Sequence, residues 1–497
     1  MNETIALYES FRKRIKAFHY ALWMISWDSL TEAPNGCYEN RAIQTGVLAE
    51  EYYKIQTSQE CVDTIQKLYE QREELEPVLR HEITEMKRDL DKTLKVPMDE
   101  FVRYQTLRAT SETIWAKAKN ANDFSIFAPV LEEIVAYMRR YVAYQKTDEL
   151  QGYNILLDEY ERDFTTKEYD VFFDLLRKEL VPLVKQITGH PQPEQPFASL
   201  PYDTQTQKEF ANYLIDVLGF DKEHGLMKES EHPCTSNFSS SDVRFTNHYY
   251  ETVVLSGIFS AIHELGHAIY EQQCDPALEV TASGGGASMA MHESQSRFFE
   301  NMIGRSKEFW AVHLPKLRAF FPEQLKDISL DDFYTQINHV ANSFIRTEAD
   351  ELTYPLHIML RYDIEKKLIS GELEVKDLPE TWNRLMKEYF GLEVPSNKMG
   401  VLQDVHWSGG MFGYFPTYAL GSAYAAQIFA AMNQDFNVMA SLKDGNTSQI
   451  NAWLKEKIHH YGSSKYPKEI LKLATGQDFD PQYYITYLKN KYQTIYL

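Results

Sequence analysis

The sequence predicts a mainly α, multi-helical fold with one small β-sheet near the middle of the chain. Three observations predict it. Apolar residues recur at helical spacing along most of the 497 residues. A capping box, Thr165-Thr-Lys-Glu168, opens one of the longest of these runs. A single stretch, roughly residues 190–250, breaks the helical pattern with prolines first and then Ser, Thr and aromatic residues.

The elements follow in chain order. Val130-Leu-Glu-Glu-Ile-Val-Ala-Tyr-Met138 has one apolar face at helical spacing. The capping box at Thr165 starts the helix that carries Tyr169 to Leu180. Pro191, Pro193, Pro196 and Pro201 interrupt the pattern, without marking a domain linker, because helices on both sides are needed for one site. Cys234 to Tyr250 reads as turns and short strands forming a small sheet. Val253, Val254, Leu255, Ile258, Phe259, Ile262 and Ile269 make the next helix apolar almost all round, as in a buried helix. Gly284-Gly285-Gly286 allows a second helix, Ser288 to Met302, to fold back on it. Helical runs return at Leu385–Phe390 and Ile470–Ala474. No internal repeat or low-complexity segment divides the chain, and residues 1–497 are expected to form one unit.

Composition narrows the possible partners. A net charge of −21 argues against nucleic acid and anionic membrane. No apolar run reaches the length of a membrane span. The opening Met1-Asn-Glu-Thr-Ile-Ala-Leu alternates charge and bulk, unlike a secretion signal. Cys37, Cys61, Cys234 and Cys274 lack metal-type spacing, and so few cysteines suggest a reducing, cytoplasmic setting.

The buried helix carries His263-Glu264-Leu-Gly-His267. Residues i and i+4 share a helix face, so His263 and His267 can hold one metal ion. Glu264, beside the first ligand, can take a proton from a water at that ion. A pattern with three fixed letters arises by chance roughly a few times in a hundred chains of this length. Burial argues against accident here, because desolvated His and Glu side chains need partners. Such a site needs a third ligand. Glu293 is the first candidate, with Glu279, Glu300 and His292 as rivals.

Further segments form a series. Trp27-Asp28 stands with Thr31, Pro34, Gly36, Arg41 and Gln44 near the start. His232-Pro233-Cys234 and Asp242-Val-Arg244-Phe-Thr246 precede the histidine motif, and His292-Glu293-Ser294-Gln295 follows it. Ile345-Arg346-x-x-Ala349-Asp350 and Gly400-Val-Leu-Gln403-Asp404-Val-His406-Trp407 come later. In this order the motifs resemble the M32 metallocarboxypeptidases, the thermostable or Taq-type carboxypeptidases. One departure stands out: Cys234 occupies the place of a usual phenylalanine.

The resemblance implies a helical zinc-peptidase fold with a long central groove between two lobes that do not fold separately. It implies Glu293 as third ligand to one Zn²⁺ per chain, with Co²⁺ able to substitute, and a homodimer acting on peptides with a free C-terminus. Broad specificity, with poor cleavage next to proline, would follow. Similar helical zinc peptidases place a histidine before a tyrosine as oxyanion donors. That points to His406 and Tyr418, with Tyr414 in reserve. Recognition of a terminal carboxylate suits an arginine fork. Arg346 is the first choice and Arg244 the second, although Arg346 could instead form an i,i+4 pair with Asp350 on one helix. Two other activities fit part of the pattern: an oligopeptide endopeptidase on a similar scaffold, and a peptide-binding protein whose zinc is structural.

Overall fold

The computed structural model describes residues 1–190 and 196–497. Pro191 and Pro193 of the proline-rich stretch lie outside the described residues.

Four helices, Asn2–Thr31, Tyr38–Gln56, Gln59–Glu70 and Pro77–Lys95, form the N-terminal part. They pack a small core of their own around Tyr8, Phe11, Ile65, Leu68 and Ile83. Most of the rest of the chain shares one large core, with a small cluster of Ala211, Tyr249 and Ala261 beside it. The predicted helices are present. Val130–Met138 lies in Ala128–Gln145, and Leu385–Phe390 closes Leu378–Phe390. Ile470–Ala474 lies in Pro467–Thr475. The capping box at Thr165 forms as the sequence implies. The Thr165 hydroxyl accepts from Lys167 N, and Glu168 Oε2 accepts from Thr165 N at 3.0 Å. Such a cap is worth about 1 kcal/mol.

The break in helical pattern yields three strands, β1 (Gly225–Glu229), β2 (Thr235–Ser239) and β3 (Asp242–Asn247). Their order is β1-β3-β2, with β1 parallel and β2 antiparallel to β3. Side chains alternate across a strand, and directly paired residues share a face. Thr235 pairs with Phe245 and Asn237 with Val243, and this face packs on the helix Val254–Gln272. Ser236 and Arg244 pair on the opposite face, against Trp23 of the first helix.

Three adjoining cavities of about 910, 490 and 440 Å³ follow the helix Pro77–Lys95. Glu82, Met86 and Asp89 line the first two, and Lys92, Glu159 and Tyr160 line the second and third. Together they make the long groove. The middle cavity reaches His292.

Candidate active site

The helix Val254–Gln272 is apolar on nearly every side and buried against the sheet and the following helix, so His263 and His267 stand on an element with little freedom to move. The next helix, Met289–Arg297, begins at Ser288, whose hydroxyl accepts from Met291 N at 3.0 Å. A Cβ on Gly266 would sit 2.6 Å from Gln295 O, so glycine between the histidines lets the two backbones touch. A third helix, Pro416–Asp435, closes on the other side at Gly421. There a Cβ would meet Glu293 Cβ at 2.7 Å. Glu293 is thereby clamped between two helices.

His263, His267 and Glu293 each offer a ligand atom within 4.8 Å of the others. Glu293 Oε2 lies 3.7 Å from His263 Nε2 and 3.6 Å from His267 Nε2. Donors about 2.1 Å from a tetrahedral ion stand roughly 3.4 Å apart, so the trio fits a divalent metal. Two imidazoles and a carboxylate also have the donor chemistry of that class. Burial alone would raise the Glu293 pKa, but Arg297, His263 and His267 outweigh it and hold the carboxyl far below its usual range.

The rival ligands take other roles. His263 Nδ1 donates to Glu300 Oε2 at 2.9 Å, which leaves Nε2 for the metal. Arg297 and Arg305 in turn hold Glu300. His267 Nδ1 lies 2.7 Å from His292 Nδ1, and His292 Nε2 lies 2.6 Å from Glu271 Oε1. One assignment of protons satisfies both contacts: His267 donates to His292, and His292 donates to Glu271. Each ligand ring is thus oriented through its second nitrogen. Asn237 of β2 completes the chain by donating to Glu271 Oε2 at 2.7 Å. Glu279 is elsewhere, accepting from Ser240 Oγ at 2.5 Å.

Glu264 is buried, and its charge acts on His267. His406, Tyr414 and Tyr418 cluster beside Glu293. Ring centroids of Tyr414 and Tyr418 are 5.2 Å apart, and those of His406 and Tyr418 6.4 Å. Tyr418 stands one turn before Gly421 on the helix that clamps Glu293, and Tyr414 feels the Glu293 charge. Burial pulls the His406 pKa down to about 4, so its ring is neutral at pH 7. His406 Nδ1 is buried without a partner among the described residues.

Arg346 is not paired with Asp350. The chain at Arg346–Glu348 is a single 3₁₀ turn, not part of an α-helix. Asp350 turns the other way and braces the turn before the next helix, accepting from Leu352 N and Thr353 N. Arg346 Nε donates instead to Asp404 Oδ1 at 3.1 Å, and Nη1 to Tyr354 Oη at 3.1 Å. The guanidinium lies 5.2 Å from the Tyr418 ring centre, and Nη2 has no partner among the described residues. Arg361, fully buried, shares Asp404, and Gln403 Oε1 accepts from both Arg346 N and Arg361 Nη2. Arg244 faces away from the metal helix. Asp242 engages two of its nitrogens, and it stacks over Trp23 and Trp27.

Sequence reasoning assigned no role to Thr235, Asn237, Glu271, Tyr354 or Arg361. Only Glu271 had a readable signal, since His263, His267 and Glu271 repeat every four residues along one helix face. The others reach the site through contacts distant in sequence.

A multi-helical scaffold with a His-His-Glu cluster that could hold a metal ion, beside a groove that reaches His292, defines a metallopeptidase class of protein, and comparison with known proteins agrees. The family model for carboxypeptidase Taq (M32) metallopeptidases matches residues 8–492. Carboxypeptidase 1 of Bacillus subtilis is 42% identical over 487 residues, covering 98% of this chain and 97% of that protein. Thermostable carboxypeptidase 1 of Pyrococcus furiosus is 35% identical, covering 99% of each. The crystal structure of the M32 carboxypeptidase from Deinococcus radiodurans R1 superposes with a TM-score of 0.94 at 30% identity, covering 99% of each chain. The chain belongs to the M32 metallocarboxypeptidase family.

Proposed function

We propose that the protein is a zinc carboxypeptidase that removes residues one at a time from free peptide C-termini, with broad specificity and Glu264 as general base. The observation that carries this reading is the His263-His267-Glu293 trio with Glu264 between the histidines, linked through Arg297 and Tyr354 to Arg346, an arginine with an open Nη2. Zinc, or cobalt in its place, would supply an acidified water and polarise the scissile carbonyl. Glu264 would accept a proton from the attacking water at its open Oε1 and return it to the leaving amine. Tyr418 stays protonated, because burial drives its pKa well above the usual phenol range, and it serves as a donor to the developing oxyanion. His406, neutral, donates through an N–H in the same cluster, with Tyr414 in reserve. Arg346 reads the substrate carboxylate through its open edge, held in place by Asp404. Arg244 is the second choice, disfavoured by its orientation.

Residues 1–497 are read as one catalytic unit of two lobes around the groove, acting as a homodimer in the cytoplasm. The four cysteines are unpaired, in keeping with a reducing compartment. Among the described residues no helix is long and apolar enough to cross a membrane. Removal of metal by a chelator should abolish peptide hydrolysis, and added zinc or cobalt should restore it. Full activity in metal-free protein would overturn the reading.

A further inference from the structure

Two of the motifs, His232-Pro233-Cys234 and Asp242–Thr246, supply no metal ligand, and their one candidate for the substrate, Arg244, faces away from the metal helix. They flank β2, whose first residue is Thr235. Thr235 Oγ1 lies 2.6 Å from Glu264 Oε2 and 3.0 Å from Glu264 O. A hydroxyl has one proton, and the charged carboxylate is the stronger acceptor. Glu264 Oε1 has no hydrogen bond among the described residues and is not a buried orphan. One oxygen of the carboxylate is therefore tied down and the other is open.

We propose that Thr235 is a positioning residue for Glu264: its hydroxyl holds Oε2 so that Oε1 is presented to the reacting water. The two motifs build the support for that hydroxyl. Thr246, fully buried, donates its N–H to Cys234 O at 2.8 Å, and its hydroxyl accepts from Cys234 N at 3.1 Å and from Ser230 Oγ at 2.6 Å. Ser230 Oγ also lies 2.7 Å from His232 O. The residue before Thr235 is thus pinned through both of its main-chain polar groups. The pin uses backbone atoms of Cys234, and the thiol that stands in place of phenylalanine adds a contact of 3.6 Å to the same Thr246 hydroxyl. Thr235 itself is β-branched, stiff at χ1, and set in a strand paired with Phe245, so its hydroxyl has few alternatives to Glu264.

The proposal rests on Glu264 acting as base, and the test separates the two. Thr235→Val, Thr235→Ser and Glu264→Gln are compared on a blocked dipeptide with a free carboxylate, with bound metal measured in each. Thr235→Val should lose about 10- to 100-fold in kcat, the scale set by small misplacements of a catalytic group. KM and metal content should stay near wild type, and Thr235→Ser should recover most of the loss. Thermal midpoints of the metal-free proteins give a second readout. The shifts for Thr235→Val and Glu264→Gln should be non-additive in the double variant. Wild-type kcat in Thr235→Val beside an inactive Glu264→Gln overturns the proposal alone, as do equal losses in the valine and serine variants or additive midpoint shifts. A fully active Glu264→Gln overturns the base assignment, and the proposal with it.

Discussion

Glu300 accepts the Nδ1 proton of His263 at 2.9 Å, so a carboxylate that competes by sequence with Glu293 as a candidate ligand is bonded instead to the second nitrogen of a candidate ligand. Two arginines, Arg297 and Arg305, keep it charged. Glu300→Gln should weaken zinc binding about 10- to 100-fold, as for other partners of ligating histidines. Zinc affinity by competition with a chromogenic chelator checks this, and unchanged affinity would make Glu300 a purely structural residue.

Arg346→Ala should lower kcat/KM on free-acid peptides by about 100-fold, the cost of losing one half of a charged recognition pair. The variant is expected to fold, because Asp404 keeps Arg361 as its counter-ion. Any activity on C-terminally amidated peptides should be unaffected. Equal losses on acids and amides would remove Arg346 from carboxylate recognition.

Tyr418→Phe should reduce kcat by about 100-fold with little rise in KM, as expected when an oxyanion donor is lost. Steady-state kinetics on one peptide decide the matter. An unchanged kcat would move the role to Tyr414, whose ring lies 5.2 Å away.

Glu365 ties down the segment that carries His406. It is fully buried and accepts from Trp407 Nε1 and Gly413 N, each at 2.7 Å, and from Tyr153 Oη at 2.6 Å. Burial pushes its pKa up to about 7. A carboxyl whose folded pKa exceeds its unfolded value stabilises most below the unfolded value, near 4.5, and loses that contribution as pH rises through the folded pKa. Wild type should therefore lose roughly 1–3 kcal/mol from this group between about pH 4.5 and 8, a loss that Glu365→Gln abolishes. Thermal midpoints across that range provide the check, and parallel curves for the two proteins would contradict it.

The helical class, the small sheet and the His263–His267 pair were legible because each rests on local pattern, period 3.6, turn-rich composition and a spacing of four, whereas Glu293 was singled out from its rivals by the motif series and meets the pair in the structure. The outer partners were not. Thr235 and Asn237 reach the metal helix from a strand, and Asp404 meets Arg346 from 58 residues away. Nothing in local spacing encodes such meetings. The alternative of an Arg346–Asp350 pair shows the same limit. An i,i+4 spacing brings side chains together only on a continuous helix, and here the chain makes one 3₁₀ turn, after which Asp350 braces the turn that leads into a new helix.

The central claim is removal of single residues from a free C-terminus. Mass spectrometry of one peptide, digested over time as the free acid and as its amide by zinc-loaded protein, tests it most directly. A ladder shortened one residue at a time from the C-terminus of the acid, with the amide left intact, is the predicted result. Internal fragments from both peptides would contradict it.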